Sequence, residues 1–324
     1  ANNTALRSIA IPATVERLGD HLLYNDANLG SLSIARYTYD AAQPGEPMTP
    51  TNITASVIGL FGGDTGAEGF YDNGEGVAVP EALTSVTVNE MRTVPQKFLY
   101  GMSSLTSANI SLNAALLVNN EQAGIGNYAF YDCENLGTGL SVRGSYAAIG
   151  SHAFDGTALT QFSVPSSVES IGDYAFADTK LASFTVPDSV TKLGRNIFYN
   201  ASAMNSLTVE RFMIPAYDEQ TGEALPPTAL FNKVSSLFGA TTYNATDGTL
   251  RPVSSLFYIA ENSVAVPKAL ESVTVEEMAY VPDSFLHDLS SLRSATLRIP
   301  ATYEEIWEIA PVIAAAREKK PDII

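Results

Sequence analysis

Short alternations of apolar and polar residues recur along the chain at nearly constant spacing. The pattern L-x-x-φ-x-φ, in which φ is an apolar residue, occurs ten times, and most neighbouring copies lie 22 or 23 residues apart. The last apolar residues of the copies are Ile11, Ile34, Val88, Ile110, Val142, Val164, Val186, Val209, Val275 and Leu297. Alternation over short segments in which Val, Ile, Phe and Thr dominate is typical of β-strands. About ten strands are therefore predicted, one in each repeat.

A second phrase, apolar-Gly-x-x-Ala-Phe, follows most of these strands. It occurs at 125–130, 149–154 and 171–176, with looser copies at 18–23 and 193–198. Pro95 and Pro282 replace the glycine in two repeats, and because Gly and Pro both favour turns, the phrase predicts a backbone corner. The phenylalanines are interpreted as core spacers, one in each repeat. Fixed apolar and variable polar positions are typical of a solenoid, in which each repeat contacts only its neighbours.

Two long gaps interrupt the repeats, and they are predicted to be insertions on the surface, at 35–80 and 210–267. Residues 77–110 match residues 264–297 at 21 of 34 positions without a gap. Upstream of both segments the tripeptide Leu-Phe-Gly occurs, at 60–62 and at 237–239, with spacers that differ by ten residues. A larger module, made of one insertion and two repeats, is therefore duplicated.

These patterns predict a single strand-rich α/β solenoid domain over 1–324, with about ten coils of ~22–23 residues. The repeats are assigned to 5–34, 81–209 and 268–300. Thr302 and Glu305 fit a capping box ahead of a segment of helical composition. A C-terminal capping helix is therefore predicted at 301–320, with a linker to a further domain as the alternative.

The phrase IGxxAFxxC, followed by the strand pattern and by P-x-S-V, resembles the BspA-type leucine-rich repeat of bacterial cell-surface proteins. Cys133 stands where that family often carries a cysteine, and the Leu-Phe-Gly insertion before VPxALxSVTV is similar to a variant in surface proteins of gut Gram-positive bacteria. The resemblance covers about residues 5–300. It implies a leucine-rich-repeat solenoid that is secreted, extracellular or on the bacterial cell surface, with adhesion to host or neighbouring cells as the usual role.

Composition narrows the range of partners. The chain has 45% hydrophobic residues, enough for a packed core, and a formal net charge of −17. So acidic a chain is not expected to bind nucleic acid or an anionic membrane surface. No apolar run is long enough for a membrane span, so no membrane insertion is expected within this sequence. The single cysteine excludes an intrachain disulfide, and a monomer is expected.

Alignment of the repeats removes most candidates for catalysis. One repeat position holds His21, Tyr128, His152, Tyr174 and Asn196, and it is interpreted as a solvent-facing filler. Cys133 is interpreted as a small residue at the edge of the core rather than a reactive thiol. No histidine pair has the spacing of zinc ligands, and the loop at 72–75 is interpreted as a polar turn rather than a calcium site. No catalytic residue, metal or cofactor is predicted, and the protein is interpreted as not an enzyme.

The leading hypothesis is a non-enzymatic interaction or adhesion module that binds a host or microbial surface protein. Its binding residues are predicted to be aromatic side chains of the insertions, namely Tyr37, Tyr39, Phe70, Tyr71, Tyr217, Tyr243 and Tyr258. Rows of outward Ser and Thr on the strands make carbohydrate binding the alternative. A glycoside hydrolase that uses Glu75, Asp218, Glu219 and Glu223 is a third hypothesis, and a passive spacer is a fourth.

Overall fold

The computed structural model divides the chain into two compact units, Ala1–Thr160 and Gln161–Ile324. It describes residues 5–15, 18–37, 57–117, 122–217, 224–239, 242–244, 250–252, 257–259, 265–278, 281–287 and 289–298. These residues form strands and short 3-10 turns but no α-helix, so the helical part of the predicted α/β class is wrong for them. The predicted C-terminal helix at 301–320 lies outside the described residues, and a single solenoid over 1–324 stays a prediction.

The described part of the first unit contains nine strands. They are β1 (Ser8–Ile11), β2 (Ser31–Ile34), β3 (Phe70–Asp72), β4 (Ala78–Pro80), β5 (Ser85–Met91), β6 (Ser107–Leu112), β7 (Gly124–Ile125), β8 (Leu140–Arg143) and β9 (Ala148–Ile149). Two 3-10 turns accompany them, at Val57–Leu60 and Ala114–Leu116.

Five of these strands form a parallel sheet in the order β1-β2-β5-β6-β8. The repeats pair in register: Ile34 of β2 lies between Ile11 of β1 and Val88 of β5. Within β2, Leu32 and Ile34 are buried, whereas the two serines that alternate with them are half-buried. The apolar positions of the repeat therefore form one face of the sheet, as the alternation predicts.

The described part of the second unit contains fourteen strands. They are β10 (Ser170–Ile171), β11 (Ser183–Val186), β12 (Lys192–Leu193), β13 (Phe198–Tyr199), β14 (Ser206–Val209), β15 (Met213–Tyr217), β16 (Ala224–Ala229), β17 (Phe238–Gly239), β18 (Thr242–Asn244), β19 (Leu250–Pro252), β20 (Phe257–Ile259), β21 (Ala265–Pro267), β22 (Ser272–Val275) and β23 (Ser294–Leu297). A 3-10 turn spans Val234–Leu237.

The second unit repeats the plan of the first. Strands β11, β14, β22 and β23 form a parallel sheet in that order, and the serines at their first positions align across it. Three antiparallel hairpins, β15–β16, β18–β19 and β20–β21, lie between β14 and β22 in the chain. The described part of the first unit has one such hairpin, β3–β4.

One predicted strand is absent. Residues 161–164 keep the alternation of exposure, with Phe162 and Val164 half-buried, but they form no strand. The inward residues of β8, Leu140 and Val142, are also only half-buried, whereas Val86 and Val88 of β5 are fully buried. Weak packing of the inward side chains is therefore common to this segment and to β8, and alternation alone does not ensure a strand.

Strand pairing continues across both predicted insertions. Strand β2 pairs directly with β5, and β14 pairs directly with β22. The hairpins that precede β5 and β22 share one register, since Phe70 faces Pro80 in β3–β4 and Phe257 faces Pro267 in β20–β21. The duplicated module of the sequence is therefore also duplicated in strand pairing.

The Leu-Phe-Gly segments are corners of the fold, although they lie within the predicted insertions. In the first unit the backbone N–H groups of His21 and Leu23 donate to the carbonyl oxygens of Gly59 and Leu60, both at 2.8 Å. In the second unit Asn200 donates in the same way to Gly239 at 2.7 Å. Phe61 and Phe238 are fully buried, as core phenylalanines of the repeats are. Within the described residues, each insertion thus contributes a partial repeat, with a corner but without a strand in the parallel sheet.

Phenylalanines fill the interior, which confirms their interpretation as core spacers. The fully buried phenylalanines of the corner phrase are Phe98, Phe130, Phe154, Phe176, Phe198 and Phe285. In the first unit the rings of Phe130 and Phe154 stack with their centroids 5.3 Å apart. Each repeat thus adds one large apolar side chain against its neighbour, which drives the stacking of repeats.

Close contact between successive corners explains the glycine of the corner phrase. A Cβ atom on Gly150 would lie 2.5 Å from the backbone nitrogen of Asn127, and one on Gly126 would lie 2.5 Å from the backbone nitrogen of Gln96. Neither glycine has a positive φ, so space rather than backbone freedom requires it. Gly19, in the first repeat, has no heavy atom within 4 Å of the corresponding point. Sequence reasoning assigned this glycine to turn formation, whereas its physical role is to let two backbones approach.

We expect Gly150→Ala to lower the free energy of unfolding by about 1–3 kcal/mol, because the added methyl group meets backbone that cannot move aside. Gly19→Ala is the matched control at the same repeat position, and its change should stay within about 0.5 kcal/mol. Urea unfolding followed by circular dichroism measures both. Equal unfolding midpoints for the two variants would contradict the proposed role of the glycine.

Candidate interaction surface

Within each unit, backbone hydrogen bonds tie a corner to the one that follows it. Three alternate N–H groups of a corner point at the following repeat and donate to its carbonyl oxygens. In one corner of the first unit the donor and acceptor pairs are Tyr128 and Ser151 (2.9 Å), Phe130 and Ala153 (2.8 Å), and Asp132 and Asp155 (2.9 Å). The corner of Lys97, Leu99 and Gly101 donates in the same way to the corner of Tyr128. The side chains of successive corners are therefore held at fixed spacing.

The repeat position of this first donor has a left-handed backbone, whatever its side chain. Its φ lies between 51° and 58° in every described corner of this type, namely at His21, Lys97, Tyr128, His152, Tyr174, Asn196 and Ser284. Four residues later a second left-handed position holds Asn, Asp or Gly, the residues that adopt this conformation most readily: Asn25, Gly101, Asp132, Gly156, Asp178 and Asn200. A left-handed backbone is uncommon for a bulky residue such as Tyr. None of these residues is buried, which agrees with the interpretation of the position as solvent-facing, and the fixed left-handed φ is a constraint that the sequence did not reveal.

Four rings from three successive corners meet in the first unit. We call this set the corner patch; its members are Tyr100, Tyr128, Tyr131 and His152. Tyr128 stacks on His152 with centroids 4.7 Å apart and planes 5° apart, and Tyr100 stacks on Tyr131 at 4.9 Å and 14°. Tyr128 meets Tyr131 edge to face at 5.5 Å, which joins the two pairs. All four side chains are half-buried, so each ring is supported on one side and accessible on another.

A cation lies at one edge of the corner patch. The ammonium nitrogen of Lys97 is 5.2 Å from the centroid of the Tyr100 ring and forms an ion pair with the carboxylate of Glu75. The hydrogen bond to Glu75 raises the pKa of Lys97. Burial raises the pKa of the Tyr100 phenol, and the carboxylates of Glu75 and Asp132 raise it further. Negative charge therefore surrounds this edge of the ring cluster.

The opposite edge is held by a side-chain hydrogen bond within one corner. Nδ1 of His152 lies 2.7 Å from a carboxylate oxygen of Asp155, whose side chain is 11% exposed. The His152 side chain is 25% exposed. This contact fixes the plane of the imidazole that stacks on Tyr128, so the ring pair has little freedom to reorient.

The β3–β4 hairpin of the first insertion forms a wall beside Tyr100. The hydroxyl oxygen of Tyr71 lies 3.2 Å from Oγ of Ser104, and Oγ of Ser104 donates to the carbonyl oxygen of Leu83 at 2.7 Å. Nδ2 of Asn73, which is buried, donates to the carbonyl oxygen of Tyr100 at 3.3 Å. A Cβ atom on Gly101 would collide with the carbonyl oxygen of Asn73, so the hairpin requires glycine there. The hairpin thus brings Glu75 to the corner patch.

The turn of this hairpin has the polar character that the sequence predicts. Oδ1 of Asp72 accepts the N–H groups of Gly74 and Gly76, and Oδ1 of Asn73 accepts those of Glu75 and Val77. In the described ranges no three His, Cys, Asp or Glu side chains come together as potential metal ligands.

The predicted binding aromatics fall into three groups. Tyr37 is buried, with its ring edge to face against Phe98 at 5.4 Å, because its backbone bridges to Met91 beside the sheet. It is a core residue, and its prediction as a surface anchor is wrong. Phe70 is 9% exposed and belongs to the hairpin core, whereas Tyr71 is half-buried at the hairpin contact with Ser104.

The remaining predicted aromatics lie where side chains are not described. Tyr39 lies outside the described residues, while the backbones of Tyr217, Tyr243 and Tyr258 belong to β15, β18 and β20. Tyr258 faces Val266 as Tyr71 faces Val79, so these two tyrosines occupy equivalent places in the duplicated module. Their role as anchors stays a prediction.

Sequence reasoning missed all four members of the corner patch. The signal that could have found them is the spacing of aromatic residues within the corner phrase. Tyr128 and Tyr131 are three residues apart in one corner, and Tyr100 and His152 occupy the matching positions in the corners on either side. Corner residues of this spacing stack on one another because successive repeats lie in register.

The second unit carries a smaller group at the same repeat positions. The rings of Tyr174 and Tyr199 lie 5.5 Å apart, and Nδ2 of Asn196 donates to the hydroxyl oxygen of Tyr174 at 2.8 Å. This group has two rings rather than four. The larger aromatic surface among the described residues is the corner patch.

Other candidates for chemistry are occupied by structural contacts. Cys133 is buried, its thiol donates to the carbonyl oxygen of Leu99 at 3.1 Å, and burial raises its pKa, as an unreactive core cysteine requires. Glu75 is paired with Lys97, and the other carboxylates of the hydrolase hypothesis, Asp218, Glu219 and Glu223, lie outside the described residues. Among the described residues, no helix has the length and apolar character needed to cross a membrane.

The described repeats share an apolar strand face, and most of their corners bury a phenylalanine. Residues 123–215 match the family described as the BspA type leucine rich repeat region, in six copies. This segment therefore consists of BspA-type leucine-rich repeats, which confirms the resemblance seen in its sequence. No curated protein matches the chain.

Several solved structures of bacterial leucine-rich-repeat proteins are similar to this chain. One is a leucine rich cell surface protein from Faecalibacterium prausnitzii, 14% identical, over 94% of this chain and 90% of that one, with a TM-score of 0.41. A leucine-rich repeat protein from Bacteroides ovatus is 16% identical over 92% of this chain and 64% of its own, with a TM-score of 0.32. The pneumococcal vaccine antigen PcpA is 17% identical over 91% of this chain and 68% of its own, also with a TM-score of 0.32.

The contact of Tyr71 with Ser104 should anchor the hairpin that forms the wall. We expect Tyr71→Phe to lower the free energy of unfolding by about 1 kcal/mol, because it removes a hydroxyl from a half-buried hydrogen bond. Ser104→Ala should cost a similar amount, and the double variant should cost less than the sum, since both changes break one contact. Urea unfolding of the four proteins measures this coupling. Strict additivity would show that the hydroxyl contact does not hold the hairpin.

Proposed function

We propose that the protein is a non-enzymatic interaction module of the bacterial cell surface. It binds a protein ligand of host or microbial origin, and thereby contributes to adhesion, through the corner patch and the β3–β4 hairpin beside it. The BspA-type repeats at 123–215 support this class of function, because the sequence resemblance implies surface adhesion. The observation that carries the proposal is the meeting of four half-buried rings from three corners at one place on the first unit.

Aromatic side chains at such a place suit protein recognition. Tyrosine is enriched among the residues that dominate the free energy of protein–protein binding. The rings of the corner patch are already fixed by stacking and by the left-handed backbone of Tyr128 and His152. Little side-chain entropy is therefore lost when a partner packs on them. The polar contacts at the two edges, Lys97 with Glu75 and His152 with Asp155, form a polar rim of the kind that surrounds binding centres.

Carbohydrate binding is the second candidate, and a different observation favours it. The outward serines of the first sheet stand in register across its strands, at Ser8, Ser31, Ser85 and Ser107. Such a row of hydroxyl groups is suited to hydrogen-bond an extended glycan. It offers no aromatic anchor of its own, so the corner patch is favoured as the binding centre. A glycan array probed with the intact protein and with a Tyr128→Ala/Tyr131→Ala variant separates the two candidates. Glycan binding that survives in the variant would assign the site to the sheet.

We expect the double variant Tyr128→Ala/Tyr131→Ala to reduce ligand capture by at least about tenfold, because two central aromatic contacts are removed. The measurement is quantitative capture of surface proteins from host cells and of extracellular-matrix proteins by the immobilised protein. Tyr24→Ala is the matched control, because Tyr24 occupies the repeat position of Tyr131 in another corner and is 41% exposed. Circular dichroism and urea unfolding establish that the variants are folded. Capture by the folded double variant equal to that by the intact protein would refute the assignment of the corner patch.

A further inference from the structure

At the edge of the corner patch, Lys97 contacts Tyr100 and Glu75 in the way that a cationic ligand would. The Lys97 ammonium group lies over the face of Tyr100, 5.2 Å from the ring centroid, while the Glu75 carboxylate neutralises it. An aromatic face backed by a carboxylate is a site for a Lys or Arg side chain, because the ring face carries negative charge density. In this protein a residue of the same chain fills that site.

We propose that Tyr100 and Glu75 form a binding site for an Arg or Lys side chain of a basic protein segment, and that Lys97 is its internal occupant in the free protein. The inference rests on the proposed function, of which it names the partner's chemistry. A basic segment that binds the corner patch displaces the Lys97 side chain from Tyr100 and Glu75, and its further cationic groups lie along the rings of Tyr128 and Tyr131.

The internal occupant is one that a partner can replace. The side chains of Lys97 and Glu75 are 39% and 36% exposed, and exposed ion pairs contribute little to stability. Lys97 is held through a flexible side chain, whereas arginine has a planar group that both stacks on tyrosine and pairs with a carboxylate in a fixed geometry. Arginine is therefore the better occupant of the two.

Charge selects a basic segment over an acidic or neutral one. Glu75, Asp132 and Asp155 surround the rings, and the pKa of Tyr100 is raised in part by Glu75 and Asp132, which places their negative charge near its phenol. The whole chain carries a formal charge of −17, so basic partners are attracted from a distance. Acidic partners are repelled by the same field.

The main test compares Lys97→Asn with Glu75→Gln, which break the same ion pair but should change peptide binding in opposite directions. Lys97→Asn removes the internal cation, and asparagine suits the left-handed backbone there, as Asn196 does in an equivalent corner. We expect it to tighten binding of a short Arg-Gly repeat peptide about two- to fivefold, the scale of one exposed cation–aromatic contact. Glu75→Gln and Tyr100→Leu should weaken binding of the same peptide by a similar factor. Isothermal titration calorimetry with the full chain measures each dissociation constant.

The controls separate a specific site from general attraction. Lys180→Asn removes the same charge from an exposed lysine of the second unit and should leave the dissociation constant unchanged. A peptide with Gln in place of Arg should not bind, and added salt should weaken binding of the Arg peptide. Weaker binding by Lys97→Asn, or equal binding of the Arg and Gln peptides, would overturn the inference.

The outcome also distinguishes this inference from the proposed function. Loss of ligand capture in Tyr128→Ala/Tyr131→Ala, with no response to Lys97→Asn, would overturn the cation site and leave the interaction role intact. Absence of any effect in both experiments would overturn both. Tighter peptide binding by Lys97→Asn together with weaker binding by Glu75→Gln would support the site.

Discussion

The hydrogen bonds between successive corners set the geometry on which the rest of the structure depends. Three N–H groups of each regular corner must reach three carbonyl oxygens of the next, as in the corners of Lys97 and Tyr128. This requirement brings the backbones so close that only glycine fits at Gly126 and Gly150. The same corners carry a left-handed residue at each end of the set of donors, at a conformational cost that these hydrogen bonds offset.

The aromatic surface is a consequence of the same constraint. Within a unit, a side chain on the first left-handed residue lies on the same side as its counterpart in the neighbouring repeat, and one three residues later lies next to it. Where both positions hold rings, as at Tyr128 and Tyr131, neighbouring corners bring them into stacking contact. The insertion then adds charge to this surface, because the β3–β4 hairpin docks through Tyr71 and Asn73 and places Glu75 beside Tyr100. Repeat and insertion thus form one surface in the first unit.

The strands and the core could be predicted from the sequence because their side chains alternate with a period fixed by the backbone. Ile34 and Val88 are buried and in register for this reason, and Phe130 and Phe154 fill the interior as their spacing indicates. Residues 161–164 show the limit of the method, because alternation alone does not pack the inward side chains fully.

Which aromatic side chains meet could not be predicted from the sequence, for a physical reason. Position within an insertion does not imply exposure, since Tyr37 bridges to the strand edge at Met91 and is buried. A solvent-facing repeat position can still bring rings together, since the corner places Tyr128 against His152. Both contacts join residues far apart in sequence, and a periodic pattern carries no record of which side chains meet.

Strand β2 pairs directly with β5, and β14 pairs directly with β22, so the parallel sheets keep their pairing whatever lies between these strands in the chain. The Leu-Phe-Gly corner already supplies the carbonyl groups that the preceding corner needs, and the next strand resumes the ladder in register. Neither the corner nor the strand pairing fixes the length of the spacer between them, and the spacers of the two copies of the duplicated module differ by ten residues. Tyr71 and Asn73 of the first hairpin nevertheless contact Ser104 and Tyr100, and Gly101 leaves the space that Asn73 needs. A hairpin of new length and charge therefore leaves the strand pairing unchanged but must fit the few corner residues that it contacts, and these residues together with the spacer can alter binding specificity.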